Sequence, residues 1–256
     1  MAVNPDTGKT HTRHCRFLAN GHNLSGDMQT LGGFGVTTDN LDVSSWEDEM
    51  RQSLGGRGDV AMSLTALFNE TATATGPTRA GTHVALAAAT SVYASIFIGI
   101  RAAPVIGNAS GAALFEQGTY TVSADGGPVM VNADFRTSAL LAQSSYLWGV
   151  ALAVGAEVTA TGQGGSVDNG ALSTGGYIAF LHLTQTAAAM ASNNWTFVIE
   201  HGTNDSTWAD LATFTANGST ITAERKEATG TVNRYVRFKY TRTAGTARPW
   251  VTFIRK

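Results

Sequence analysis

Two imidazoles and a thiol fall within five residues at His11-Thr12-Arg13-His14-Cys15, and His22 follows closely. Zinc accepts these ligand types, but structural zinc sites present them as spaced pairs on a turn or helix, and this run lacks that spacing. It reads instead as part of a polar N-terminal arm covering residues 1–20. Arg57-Gly58-Asp59 spells a cell-adhesion tripeptide, yet a turn ahead of a strand accounts for Gly58. Asn23, Asn108, Asn194 and Asn217 each open a glycosylation sequon. No secretory signal peptide is expected at the N-terminus, so these read as turn and strand residues. Residues 233–240 interleave bases with aromatics, but the aromatics divide between two faces, which suits a half-buried strand better than a base-stacking platform. There is no G-x-S-x-G, Walker or H-E-x-x-H sequence. Gly32-Gly33-Phe34-Gly35 is not followed by the helix that a dinucleotide site needs. The sequence predicts no catalytic residues, no metal and no cofactor; the expected class is a non-enzymatic assembly subunit.

The elements that carry these residues are mostly strands. Residues 21–37 hold five glycines with little alternation, and read as a long loop or flexible hairpin. A short strand at 39–43 leads to Ser44-Ser45, which could cap a short helix over about 45–54. Glu47, Asp48 and Glu49 lie at its positive end, and Gly55-Gly56 stop it. Trp46, Met50 and Leu54 would share its packing face. Residues 59–68 alternate, with Val60, Met62, Leu64, Ala66 and Phe68 on one face. Further strands are expected at 92–101, 118–124, 129–136 and 146–154, with a strand or short helix at 83–89. A Gly-, Ser-, Asp- and Asn-rich loop spans 161–170. Strands then follow at 176–184, 195–201, 232–241 and 248–255, separated by turn signals. The expected core of this last region is Trp195, Phe197, Ile199, Trp208, Tyr235, Val236, Phe238 and Trp250.

At 256 residues the chain is long enough to bury a sizeable core without staples. Its single cysteine excludes an internal disulfide framework. Charged residues make up only 14%, against about 25% in an average domain, which suits surfaces covered by neighbouring copies. Residues 1–155 carry 8 Lys/Arg and 12 Asp/Glu, a balance of −4, while 156–256 carry 9 and 7, a balance of +2. Neither has the basic stripe of a nucleic-acid binder. The apolar runs are too short to cross a bilayer as helices, so no membrane partner is expected.

Two stretches carry a family resemblance. The first is Asn23-Leu24-Ser25-Gly26, then Leu41-Asp42-Val43-Ser44-Ser45-Trp46, then Leu54-Gly55-Gly56-Arg57-Gly58-Asp59-Val60-Ala61-Met62-Ser63-Leu64. It resembles the opening of the major tail tube proteins of long-tailed (siphovirus-type) bacteriophages, except that Ser44-Ser45-Trp46 stands where that family more often has Thr and Gly. The second runs from Val167-Asp168-Asn169-Gly170 and Thr174-Gly175-Gly176-Tyr177 through 195–201, 205–211 and 233–237. It is similar to the C-terminal β-domain added to many such proteins.

The resemblance implies a mainly β chain. A tail-tube-type sandwich or barrel with one flanking helix would occupy 1–155, and an Ig-like or jelly-roll-like sandwich would occupy 156–256 on the outer surface. It implies a virion protein made in the host cytoplasm. Hexameric rings would stack into a hollow tube, with a tape measure protein and a tail terminator as partners. Double-stranded DNA would pass without specific binding, which the acidic balance of 1–155 suits. Asn23, Leu24, Ser25, Gly26, Leu31, Phe34, Asp42, Arg57 and Asp59 are the expected contacts between subunits or rings. A capsid decoration protein or tail terminator is the nearest alternative reading. A carbohydrate-binding β-sandwich module is a more distant one.

Overall fold

The computed structural model describes residues 12–42, 53–70, 81–100, 102–136, 147–184, 186 and 190–256, with backbone alone at 12, 34–42, 53–60 and 147. The chain is mainly β, as the sequence predicts, with one short helix among the described residues. The strands are β1 (Cys15–Ala19), β2 (His22–Asn23), β3 (Met28–Asp42), β4 (Ser53–Leu67), β5 (Ser91–Ile98), β6 (Ala109–Ser123), β7 (Met130–Arg136) and β8 (Leu147–Val154), with α1 (Thr82–Leu86) between β4 and β5. They continue as β9 (Gly162–Gln163), β10 (Val167–Asp168), β11 (Tyr177–Leu183), β12 (Asn194–Gly202), β13 (Ala209–Thr213), β14 (Thr222–Ala228), β15 (Tyr235–Ala244) and β16 (Pro249–Arg255).

The first seven strands follow the order β2-β1-β5-β6-β7-β4-β3, nearly closing into a barrel. Alternation explains how it fills. Met62, Leu64 and Ala66 of β4 point inward and join Phe17, Leu24, Leu86, Val92, Phe115 and Phe135 in one core cluster. The intervening Ser63 is exposed, as a strand with one solvated face requires. Among the described residues, the wall lacks a strand-to-strand ladder at the seam between β1 and β3.

Strand β6 is long enough to serve two structures. Its second half pairs with β7, and its first half pairs with β5 on one edge and β8 on the other. Through β8 the sheet runs on to β16, β11 and β14. The sheet therefore continues across the expected division near residue 156. The smaller sheet, with β10, β15, β12 and β13 in order, faces this extension. Tyr177, Ala179, Leu181, Val251 and Phe253 meet Trp195, Phe197, Ile199, Val236 and Phe238 between the two sheets, forming a sandwich core. The other face of β11 and β16 is buried too. Ile178, Phe180 and Ile254 pack with Ala112, and Trp250 packs with Leu18, Phe97 and Ala151. The extension is thus the middle layer of three.

Several expectations are corrected. Residues 15–19 are a strand rather than part of an arm, because Phe17 enters the barrel and Leu18 enters the layer behind it. The glycine-rich segment 21–37 is not one loop. It holds the end of the β1–β2 turn at Gly21, strand β2, a second turn over 24–27 and the start of β3. Ser53 and Leu54 lie in β4 and not in a helix, with Leu54 opposite Leu41. Trp46 and Met50, and the remainder of the expected helix up to Gln52, lie outside the described residues. Trp208 and Tyr235 are not in the sandwich core but on the outer face of its smaller sheet, and Trp250 belongs to the junction behind the sandwich.

Candidate assembly surface

Strands β3 and β4, fifteen residues each, form a long antiparallel hairpin. The two strands pair from Met28↔Ala66 to Asp42↔Ser53, with irregularities between Met28 and Thr30, Gly32 and Gly35, and Thr38 and Asn40. Gly33, at one of these, has φ 70, a left-handed conformation that glycine adopts without strain. On its other edge, β4 is covered by β7 only from Ala61 to Leu67. Beyond the Ala61↔Arg136 pair the hairpin runs on with no third strand among the described residues. Residues 36–42 and 53–60 therefore form a two-stranded ribbon that reaches roughly 23 Å past the sheet at about 3.3 Å per residue.

A two-stranded ribbon is marginal on its own in water. The outer edge of this ribbon has no strand beside it among the described residues. Natural edge strands are blunted with Lys or Pro, and β3 contains neither. Of the expected contact residues, Leu31, Phe34 and Asp42 lie spread along β3, and Arg57 and Asp59 along β4. Asp59 stands opposite Thr37.

Asn23 and Leu24 do not belong on a contact surface. Leu24 is fully buried in the barrel core, and Asn23 is 5% exposed. They fix the foot of the hairpin. The Ser25 hydroxyl donates to Asn23 Oδ1 at 2.7 Å and accepts the Phe17 N–H at 2.8 Å. The Leu24 N–H donates to the Phe17 carbonyl at 3.0 Å. Gly26 is exposed just beyond this turn. Side chains thus take the place of a ladder where β1 and β3 diverge. A cavity of about 330 Å³ opens in that seam, lined by Arg13, Cys15, Phe17, Met28, Leu31 and Ile96 among others.

The back of the barrel is joined to the middle layer by a buried histidine. The β1–β2 turn is Asn20-Gly21, both with positive φ, the pattern of a two-residue hairpin turn. The Gly21 N–H donates to His182 Nδ1 at 3.2 Å, and Ser95 Oγ lies 2.8 Å from His182 Nε2. Since Nδ1 accepts, the ring proton sits on Nε2 and is donated to Ser95. Burial, and secondarily the nearby His22, push the His182 pKa down to about 3, so the ring is neutral. A Cβ on Gly21 would stand 2.5 Å from the Thr222 carbonyl oxygen, so only glycine lets these layers approach.

The outer face of the smaller sheet carries a charged network. Glu200 accepts from Arg237 at 2.7 Å and Lys239 at 2.8 Å. Burial alone would raise the Glu200 carboxyl, but these hydrogen bonds outweigh it and hold the pKa below the ordinary value. Arg237 in turn lies over the Trp208 ring at 4.1 Å, and Arg234 lies over Tyr235 at 5.0 Å. The two aromatics missed as surface residues are therefore cation-covered, a pairing that spacing along the chain does not reveal. Among the described residues no three His, Cys, Asp or Glu side chains gather as a metal site.

No protein-family profile matches the chain, and no curated protein matches it in sequence. Solved structures similar to it at low identity include three from phage-like particles and phages. A chain from the virion of a native gene transfer agent particle aligns with 51% of this chain and 95% of its own, at 12% identity and a TM-score of 0.36. The tube-terminating cap of the anti-feeding prophage aligns over 54% and 95%, at 9% identity and a TM-score of 0.35. The Dit protein of phage SPP1, described as a paradigm of the hub adsorption apparatus in phages that infect Gram-positive bacteria, aligns over 94% and 99%. Its identity is 12% and its TM-score is 0.34.

Proposed function

We propose that the chain is a structural virion protein whose copies form stacked hexameric rings, the hollow tail tube of a long-tailed bacteriophage through which DNA leaves. The observation that carries this reading is the β3–β4 ribbon. A two-stranded element with an edge that no described strand pairs gains partners when another subunit covers it. The motif order that resembles tail tube proteins places Leu41-Asp42 and Leu54 to Asp59 on this same ribbon, and the low charge of the chain suits extensive permanent interfaces. A head-to-tail contact of this kind closes into a ring when its rotation permits. Tape measure and terminator proteins are the partners this role requires. The outer sheet, with Trp208 and Tyr235 under arginines, would face away from the tube.

The test is negative-stain electron microscopy of the concentrated protein, paired with size-exclusion chromatography. Six-fold rings or hollow tubes of constant diameter are expected. A closed ring that never elongates would point to the tail-terminator reading, and a closed trimer would sink the tube. A variant sharpens the result. Replacing residues 36–60 by Asn-Gly joins Gly35 to Ala61, which already face each other, by a two-residue hairpin turn. The core residues Leu24, Met62 and Leu64 remain, so a folded monomer without rings is expected; normal tubes from this variant would refute the role of the ribbon. Deleting 21–37 would be a poor test, since it removes Leu24 and the Gly21–His182 bond along with the ribbon strand.

A further inference from the structure

The sequence holds three Asn-Gly pairs, at 20–21, 169–170 and 217–218. Such a pair can cyclise on itself, because a glycine without a side chain lets its own nitrogen approach the amide carbon of the asparagine before it. All three share the same following residue, so hydrogen bonding decides between them. At Asn20 both ends of the amide are held. Nδ2 donates to the Ser91 carbonyl at 3.1 Å, and Oδ1 accepts the Tyr93 N–H at 2.9 Å. The nucleophile is occupied too, since the Gly21 N–H donates to His182. At Asn169, Nδ2 donates to the Arg234 carbonyl at 3.2 Å, which does nothing to make Cγ more electrophilic. The Gly170 N–H donates to the Asp168 carboxylate at 2.7 Å, and that negative charge opposes loss of its proton.

Asn217 is held the opposite way. It is exposed, and its Oδ1 accepts from the Ser219 N–H at 3.1 Å and the Ser219 hydroxyl at 2.7 Å. Two donors on this oxygen polarise the carbonyl and sit where negative charge gathers during attack on Cγ. The backbone is fixed on both sides. The Asn217 carbonyl accepts the Trp195 N–H at 3.0 Å, and the Gly218 carbonyl accepts from Asn193 Nδ2 at 3.2 Å. Gly218, at φ 81, turns its Cα face to Trp195, and its N–H donates to no group among the described residues. We infer that Asn217-Gly218-Ser219 is a self-modifying site, where the chain converts its own asparagine with Ser219 as the oxyanion donor. The Gly218 nitrogen gives its proton to hydroxide and attacks Cγ. The new N–C bond forms as the carbonyl electron pair moves onto Oδ1, beneath the two Ser219 donors. That pair then returns, the bond to Nδ2 breaks, and ammonia leaves with a proton from water. Water opens the resulting succinimide at either carbonyl, leaving an aspartyl or an isoaspartyl residue at position 217. The isoaspartyl product adds one carbon to the main chain. It also turns the carbonyl that accepts the Trp195 N–H into a free carboxylate.

The test is peptide mapping by mass spectrometry of the full chain held at pH 8 in heavy-oxygen water, with isoaspartyl methyltransferase to label the isomer. In urea the three pairs should convert at similar rates. In the folded chain Asn217 should convert roughly tenfold or more faster than Asn20 and Asn169. Ser219→Ala should slow conversion at Asn217 roughly tenfold, and Ser219→Thr, which keeps a hydroxyl, should restore it. Similar rates at the three pairs in the folded chain, or faster conversion at Asn20 or Asn169, would overturn the site. A Ser219→Ala chain that converts as fast as the wild type, or faster, would overturn it as well, since the serine would then only restrain the turn.

Discussion

His182 is the residue on which the two halves of the chain most visibly depend. It sits on β11, yet its partners are the Gly21 N–H of the β1–β2 turn and the Ser95 hydroxyl of β5. Its pKa is pushed down to about 3, so the folded protein holds it neutral while the unfolded chain takes up a proton below about 6.5. The unfolded state then binds more protons, so this contribution is complete above pH 6.5 and is lost as the pH falls toward 3. At about 1.4 kcal/mol per pH unit, the protein should lose about 2 kcal/mol between pH 6.5 and pH 5 through this group. His22 and His201 have pKa values lowered by burial and add to the same acid limb. The difference between wild type and His182→Gln isolates the share of His182. Urea unfolding at pH 7 and pH 5 should show a smaller pH difference in the variant; equal differences would mean that His182 does not titrate as placed. The sequence could not announce this histidine, because its partners lie 87 and 161 residues away. The Asn20-Gly21 turn is a two-residue hairpin signal that the expected arm over 1–20 and loop over 21–37 passed over.

Among the elements, β4 was readable because one of its faces is buried and the other solvated, so Met62, Leu64 and Ala66 alternate with polar residues. Strands β12 and β15 were readable for the same reason. Strand β1 was not, since both of its faces are covered, and β14 was not, since Thr-Ala-Glu-Arg-Lys-Glu-Ala reads as a polar segment. That charge is what an edge strand needs, and β14 ends its sheet. The contrast with β3 is informative: one edge carries Glu224, Arg225, Lys226 and Glu227, and the other carries no basic residue. Placing Lys at Val36 and Thr38 would give β3 the same protection. These positions have no third strand beside them among the described residues, so the stability of the monomer should change by less than about 0.5 kcal/mol. Sedimentation velocity should nevertheless show assembly displaced to at least tenfold higher concentration. Unchanged assembly would mean that the ribbon edge is not an interface.

At the scale of the whole molecule, the sequence indicated two β-regions meeting near residue 156, and composition shifts there. What composition cannot show is that a sheet crosses the division. Strand β8 precedes residue 156 and pairs with β16, from Phe253↔Val150 to Trp250↔Val154. The middle layer therefore has two buried faces. One closes the sandwich through Leu181 and Phe253, and the other presents Ile178, Phe180, Trp250 and Ile254 to the barrel side. A fragment of residues 156–256 would keep the first face and lose the cover of the second. It would also lose β8, leaving one edge of β16 unpaired. Burying that second face is worth about 1.5–3 kcal/mol for each large side chain, a sum comparable to the whole stability of a domain of this size. The fragment is therefore expected to be unfolded or aggregated, while the full chain melts in a single transition. Calorimetry of the full chain and near-ultraviolet circular dichroism of the fragment check this. A folded fragment with native aromatic signals, or two separate transitions in the full chain, would show that the sandwich is self-sufficient and that the barrel merely rests against it.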